Sequence, residues 1–243
     1  MSHCLQLDVG NSAAKWRLVR NGSIVSRGEY RRDDPDSAEP LKVASSAAAD
    51  IWVASVAGSA AEDSLNALLA ERATTTPWYA RTQARTGPLL NSYTEPGRMG
   101  VDRWLAMLGA WQRAPGAQCV VDAGSALTID LVDADGAHTG GYIIPGPTLM
   151  ERALLLDTDR VRFDEEVDYA LDPGRSTAQA VRHGIALAQA GAVRLVLDRL
   201  GDECPSLVYS GGAGEVLMGL VDEGGHYAPD LVFEGLEAMR ALS

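Results

Sequence analysis

Two short runs in this chain carry residue types that phosphate chemistry uses. Asp8-Val9-Gly10-Asn11-Ser12, with Lys15 seven positions beyond the aspartate, closes one apolar stretch, and Asp122-Ala123-Gly124-Ser125 closes another. Glycine lets a backbone approach an anion closely, while Asn11 and Ser12 offer amide and hydroxyl donors. The Asp8 carboxylate repels phosphate, so it would act through Mg²⁺ or water. Lys15 can meet a phosphate as a mobile cation. Asp122 is the counterpart of Asp8 and can hold another cation. The plainer reading makes both aspartates turn-formers that bond their own backbone amides. Their occurrence as a pair favours chemistry.

A second constellation joins Tyr93 to Gly100-Val101-Asp102-Arg103. Adjacent acid and base at a helix start often form only a solvated first turn, where the helix dipole favours the acid. Here Met99-Gly100-Val101 precede the pair and Trp104 follows, so it sits on a mostly apolar stretch. A carboxylate so placed can accept a proton from a hydroxyl, and the neighbouring guanidinium can clamp a carboxylate. Spacing alone leaves both readings open.

The elements that must position these residues come in two copies. Each aspartate ends a short apolar strand, an apolar strand follows (Trp16 to Val19; Ile129 to Val132), and a hairpin signal comes next, Asn21-Gly22 or Asp135-Gly136. A third strand then ends near Tyr30 or Tyr142. The two Asp-x-Gly units lie 114 residues apart, close to half of the chain. This pattern predicts two related α/β domains facing each other, 1–115 and 116–243, with Ala114-Pro115-Gly116 as the stop between them. Between the copies, Ile51 to Val56 reads as a strand, and Ala61 to Arg72 as a helix with leucines at helical spacing. Val101 to Gln112 is predicted as a helix with Trp104, Leu105, Leu108 and Trp111 on one face. Arg31 to Pro40 reads as a surface loop. Ser176 to Leu200 is predicted as a long helix capped by Ser176 or Thr177. Leu207 to Tyr209 leads into a glycine turn over 210–214, and Leu231 to Leu242 forms the last helix.

Composition bounds the rest. With 21 basic and 33 acidic residues the 243-residue chain carries a formal charge of −12, which disfavours a dedicated nucleic-acid binder. A hydrophobic fraction of 46% with 22% charged residues is that of a globular protein. Cys4, Cys119 and Cys204 are far apart and odd in number, so a reducing, cytoplasmic location is expected. Met1 to Val9 does not read as a signal peptide, and no apolar run reaches the length of a membrane span. No Gly-Lys-Ser/Thr loop or Gly-x-Ser-x-Gly elbow is present, and the four histidines show no metal-ligand spacing. The run Asp164-Glu165-Glu166 reads as solvated surface.

Asp8-Val9-Gly10-Asn11-Ser12-x-x-Lys15, Gly100-x-Asp102-Arg103, Asp122-Ala123-Gly124-Ser125-Ala126 and Gly140-Gly141-Tyr142-Ile143-Ile144-Pro145-Gly146 occur in this order. Together they resemble the type III pantothenate kinases of the acetate kinase/Hsp70/actin superfamily, over nearly the whole chain. The resemblance implies two duplicated ribonuclease H-like (actin-like ATPase) domains around a nucleotide cleft. It implies ATP-dependent phosphorylation of pantothenate at its 4′-hydroxyl, with ATP on Asp8, Val9, Gly10, Asn11, Ser12, Lys15 and Ser125. Asp102 is implied as proton acceptor, and Tyr93, Gly100, Val101, Asp102, Arg103 and Thr177 as the pantothenate site. Mg²⁺ through water at Asp8, a monovalent cation (K⁺ or NH₄⁺) at Asp122, and a homodimer with neither nucleic acid nor membrane as partner complete the expectation. Ser125 departs from the usual threonine yet keeps the hydroxyl. Two rivals remain: a kinase of the same fold acting on another small alcohol or acid, and a regulator that binds nucleotide as a switch.

Overall fold

Alternating side chains explain the first sheet. In β1 (His3–Val9), Leu5, Leu7 and Val9 point to one face and Gln6 and Asp8 to the other. The strand pairs antiparallel with β2 (Ala14–Arg20), which turns through Asn21-Gly22, both at positive φ, into β3 (Ser23–Tyr30). After α1 (Ala38–Ala47), β4 (Asp50–Ser55) returns parallel to β1, and α2 (Ser59–Ala70) leads on to β5 (Trp78–Tyr79). The remaining elements are β6 (Arg85–Thr86), β7 (Leu89–Leu90), α3 (Val101–Arg113), β8 (Gln118–Ala123), β9 (Ala126–Val132), β10 (His138–Pro145), α4 (Pro147–Asp157), α5 (Thr177–Leu200), β11 (Ser206–Ser210), α6 (Gly214–Val221), β12 (His226–Tyr227) and α7 (Leu231–Ala241). This computed structural model describes residues 3–157, 161–201 and 205–243, so Cys204 lies outside the described residues.

The duplication read from the sequence appears as topology. The first sheet has the order β3-β2-β1-β4-β5 and the second β10-β9-β8-β11-β12, with the same parallel and antiparallel neighbours at each place. In the first, Leu5, Leu7, Val9, Trp16, Ile51 and Val53 pack with Leu41 of α1 and with Leu65 and Leu69 of α2. In the second, Cys119, Val121, Leu127 and Ile129 pack with Val193 and Val196 of α5 and Leu217 of α6.

The division of the chain differs from a single cut near residue 115. One unit comprises 1–87, 93–112 and 232–243, and the other 88–92 and 113–231. The first unit regains the C-terminal helix because the second face of its sheet is polar and must be covered. Arg17, 5% exposed, donates to Gln6 Oε1 at 2.7 Å and to Glu237 Oε1 at 2.9 Å, and its guanidinium lies 4.7 Å from the Phe233 ring centroid. Gln6 Nε2 bonds the same Glu237 oxygen at 2.9 Å. Glu237→Ala should therefore lower unfolding stability by about 1–3 kcal/mol, measured by urea melts, because a buried guanidinium loses an acceptor.

A second difference concerns Arg31 to Pro40, expected as loop. A 3₁₀ turn over Pro35–Ser37, with Asp36 N–H donating to Asp34 Oδ1 at 3.1 Å, runs into α1, and Pro40 sits in its first turn. Proline is tolerated there because first-turn amides need no intrahelical acceptor.

Cys4 lies in β1 and Cys119 in β8, and burial pushes both thiols up to about 12. At pH 8 almost no thiolate exists at either. Peptide mapping after brief iodoacetamide treatment of native protein should find both unmodified, and modified only after denaturation.

Candidate active site

In the first unit, register sets the turn between Asp8 and Lys15. Asp8 and Lys15 are direct cross-strand partners, so their side chains leave the same face, and the seven-residue spacing closes through the turn Gly10 to Ala13. Gly10 N–H donates to Ala13 O at 2.9 Å, which leaves Asn11 and Ser12 at the exposed tip. Lys15 is also exposed.

The Asp102 segment is held beside this turn by backbone contacts. Val56 N–H donates to Val9 O at 3.0 Å, extending β4 along β1. A Cβ on Gly100 would lie 3.6 Å from Val56 Cγ1 and 2.6 Å from Asp102 Oδ1, so only glycine lets the carboxylate fold back over the helix start. Asp102 Oδ1 accepts the Arg103 amide at 2.7 Å. Below it, Trp104 is fully buried and donates from Nε1 to Thr86 Oγ1 at 3.0 Å, and Thr82 Oγ1 donates to Met99 O at 2.9 Å. The apolar face of α3 is thus the anchor that fixes the acid at its first turn.

Arg103 is 6% exposed and donates from Nη1 to Tyr93 Oη at 2.9 Å, with the guanidinium 5.9 Å from the ring centroid. Of the residues singled out in sequence, Tyr93, Gly100, Asp102 and Arg103 come together here with Val101. The Val101 side chain is 5% exposed and belongs to the core, so its contribution to a ligand would be through the backbone.

In the second unit, Asp122 is the penultimate residue of β8 and the turn Gly124-Ser125 follows Ala123, with Ser125 exposed. This turn is shorter than its counterpart. Gly146, directly after β10, donates its N–H to Ser125 O at 3.1 Å, and a Cβ there would lie 2.5 Å from both Gly124 O and Ser125 O. The glycine turn after β11 closes from the other side. Gly211 has φ +83°, and a Cβ on it would lie 2.4 Å from Ala123 O and 2.6 Å from Asp122 Oδ1. Tyr227 Oη donates to Gly211 O at 3.0 Å. Burial raises the Tyr227 phenol, and the negative charges of Glu215 and Asp122 add to that rise. A side chain at Gly211 would therefore crowd the Asp122 oxygen, whereas one at Gly124 would meet it at 3.5 Å, an ordinary contact. Thr177 opens α5, exposed, after Ser176, whose Oγ accepts from Gln179 N–H at 3.2 Å. It lies in the second unit, apart in the chain from the Tyr93–Arg103 set of the first. Val56 and Tyr227 had no sequence motif to mark them, and Gly146 stood only as the last residue of the Gly140–Gly146 run.

Two α/β units of the same strand order, each with an Asp-x-Gly turn ending its first strand, define the actin-like ATPase class. Solved structures share this fold. A Campylobacter jejuni protein described as a conserved Baf family transcriptional activator superposes with a TM-score of 0.63 at 21% identity, over 98% of this chain and 97% of that one. Component A of (R)-2-hydroxyglutaryl-CoA dehydratase from Acidaminococcus fermentans gives 0.52 at 14% identity, over 98% and 96%. At these identities the likeness is one of fold alone. Sequence carries the narrower conclusion. The family model for type III pantothenate kinase matches residues 4–199. The type III pantothenate kinase of Hahella chejuensis is 36% identical over 96% of this chain and 94% of its own length, and that of Alcanivorax borkumensis 39% over 98% of each. The chain belongs to the type III pantothenate kinase family.

Proposed function

We propose how this chain's residues carry out the family reaction, ATP-dependent phosphorylation of pantothenate to 4′-phosphopantothenate, the first step of coenzyme A biosynthesis. The observation that carries the proposal is the packing of Asp102 over Gly100 and, through Val56, beside the phosphate turn of the same unit. Asp102 orients the pantothenate hydroxyl and accepts its proton. Arg103, held by Tyr93, pairs with the pantothenate carboxylate, with Gly100 and Val101 beside it in the same unit. Backbone amides of Val9 to Ser12, together with Lys15, receive the nucleotide phosphates. Phosphoryl transfer asks mainly for such positioning and charge stabilisation.

ATP is used with a divalent metal. Among the described residues no three His, Cys, Asp or Glu side chains form a ready-made metal cluster. One carboxylate with phosphates and water is the way Mg²⁺ is ordinarily held, so Asp8 would hold it through water. Bound there, Mg²⁺ would offset charge on the transferring phosphate. The glycine-lined carboxylate of Asp122, with the Ala123 carbonyl beside Gly211, suits a monovalent cation, K⁺ or NH₄⁺. Gly211→Ala should reduce K⁺ activation and raise the KM for ATP several-fold, since both strain at positive φ and the new methyl fall on this pocket; titration of activity against K⁺ checks it.

Exposed apolar side chains of the second unit, Tyr142, Ile143, Leu149, Leu154 and Leu156, support a homodimer. No described helix is long and apolar enough to cross a membrane. A cytoplasmic enzyme without nucleic-acid or membrane partners fits the acidic composition.

ADP release from Mg-ATP, with and without pantothenate and in K⁺ or Na⁺, tests the whole assignment. Pantothenate-dependent release is expected, faster in K⁺. Release that ignores pantothenate would mean another acceptor, and ATP binding without turnover would make the chain a nucleotide-dependent regulator.

A further inference from the structure

One polar chain in the second unit lies outside the site described above. Asp130 on β9 and His138 on β10 are buried, their side chains 2% and 1% exposed. Asp130 Oδ1 lies 3.1 Å from His138 Nε2, and Ser92 Oγ lies 2.8 Å from Nδ1 of the same ring. Ser92 itself is exposed. The segment that carries it is pinned to the start of β10, since Leu90 N–H donates to Gly136 O at 2.9 Å and Leu90 bridges Ala137. A carboxylate at Nε2 keeps the ring proton on that nitrogen, so Nδ1 offers its lone pair to the serine hydroxyl.

A hydroxyl bonded to a base that a buried third group orients is the arrangement that activates serine as a nucleophile. We propose that Ser92 is a reactive hydroxyl and a covalent modification site for small activated acyl esters. In the step, Oγ bonds to the ester carbonyl carbon and passes its proton to His138 Nδ1. The bond from carbonyl carbon to leaving oxygen breaks, and the leaving group departs with that electron pair and takes the proton from the imidazolium. The products are an acylated Ser92 and a free alcohol or phenol, one per chain. The inference stands on second-unit geometry and does not require the kinase assignment.

The test uses the full-length protein and p-nitrophenyl acetate, with peptide mass mapping of the acetylated residue. Wild type should carry acetyl on Ser92, Ser92→Ala should carry none there, and His138→Gln should acetylate about 10²-fold more slowly, the loss expected of a missing general base. Equal rates in wild type and His138→Gln, or no acetyl on Ser92, would overturn the proposal. Should His138→Gln fail to fold, Ser92→Cys decides the matter. A thiol beside an imidazole base is activated, so at pH 7 it should alkylate with iodoacetamide faster than N-acetylcysteine. A rate equal to or below that of the free thiol would overturn the proposal.

Discussion

Replacing Asp102 by Asn is expected to lower kcat by about 10²–10⁴-fold, the usual contribution of a positioned general base. The change is nearly isosteric. An asparagine Oδ1 can still accept the Arg103 amide that Asp102 accepts at 2.7 Å, so the first turn of α3 and the Tyr93–Arg103 pair should survive. What the proposed role would lose is the capacity to take a proton from the acceptor hydroxyl. The KM for pantothenate should move much less than kcat, because the pairing proposed for Arg103 with the carboxylate is untouched. Steady-state kinetics beside a thermal melt of the same preparation checks both halves. A turnover number near wild type would remove Asp102 from the role of base.

Gly235→Ala should produce the largest loss of stability. A Cβ at this position of α7 would stand 1.9 Å from Leu105 O and 2.5 Å from Leu105 C. Both atoms are backbone of α3 at a residue with no solvent exposure, so no flexible side chain can yield. The helix must retreat by more than an ångström, which loosens the packing of Phe233, Leu236 and Met239, all buried. Overpacking ordinarily costs about 1–3 kcal/mol, and a backbone clash belongs at or beyond the top of that range. For a chain of this size that is a drop of about 10 °C in Tm. Scanning calorimetry reads it directly, and a change below about 2 °C would show that α7 slides without cost. Activity should fall as well, because α3 carries Asp102 and Arg103.

The repeat was legible because each copy combines signals that act locally. Asp-x-Gly ends a strand whichever sheet it joins, and Asn21-Gly22 or Asp135-Gly136 turns a hairpin whatever packs on it. The long helices were legible from leucine spacing and caps, as Ser176 before α5 shows. The partnership of α7 with β1 and β2 was not. Gln6 and Arg17 look like solvent-facing residues of alternating strands, and their burial depends on Glu237, more than two hundred residues away. In the candidate site, Asp102, Arg103 and the Asp8–Lys15 turn were visible as residue types. The glycine cradle of Asp122 was only half visible, because the role of Gly211 rests on a carbonyl from another strand. The start of α1 escaped because Pro40 reads as a breaker unless the cap three residues before it is known.

The return of the last helix to the first unit has a consequence for synthesis. A ribosome makes residues 1–112 long before α7, and at about 5–20 residues per second the wait is on the order of 10 s. Until α7 arrives, the Gln6–Arg17 face and the Leu105 side of α3 have no cover. A nascent chain therefore holds its Asp102 segment unfinished until residues 232–243 have been made, although the rest of that unit is made first. Chains cut off before residue 232 would leave the first unit without α7, and such chains are the natural clients of chaperones and proteases.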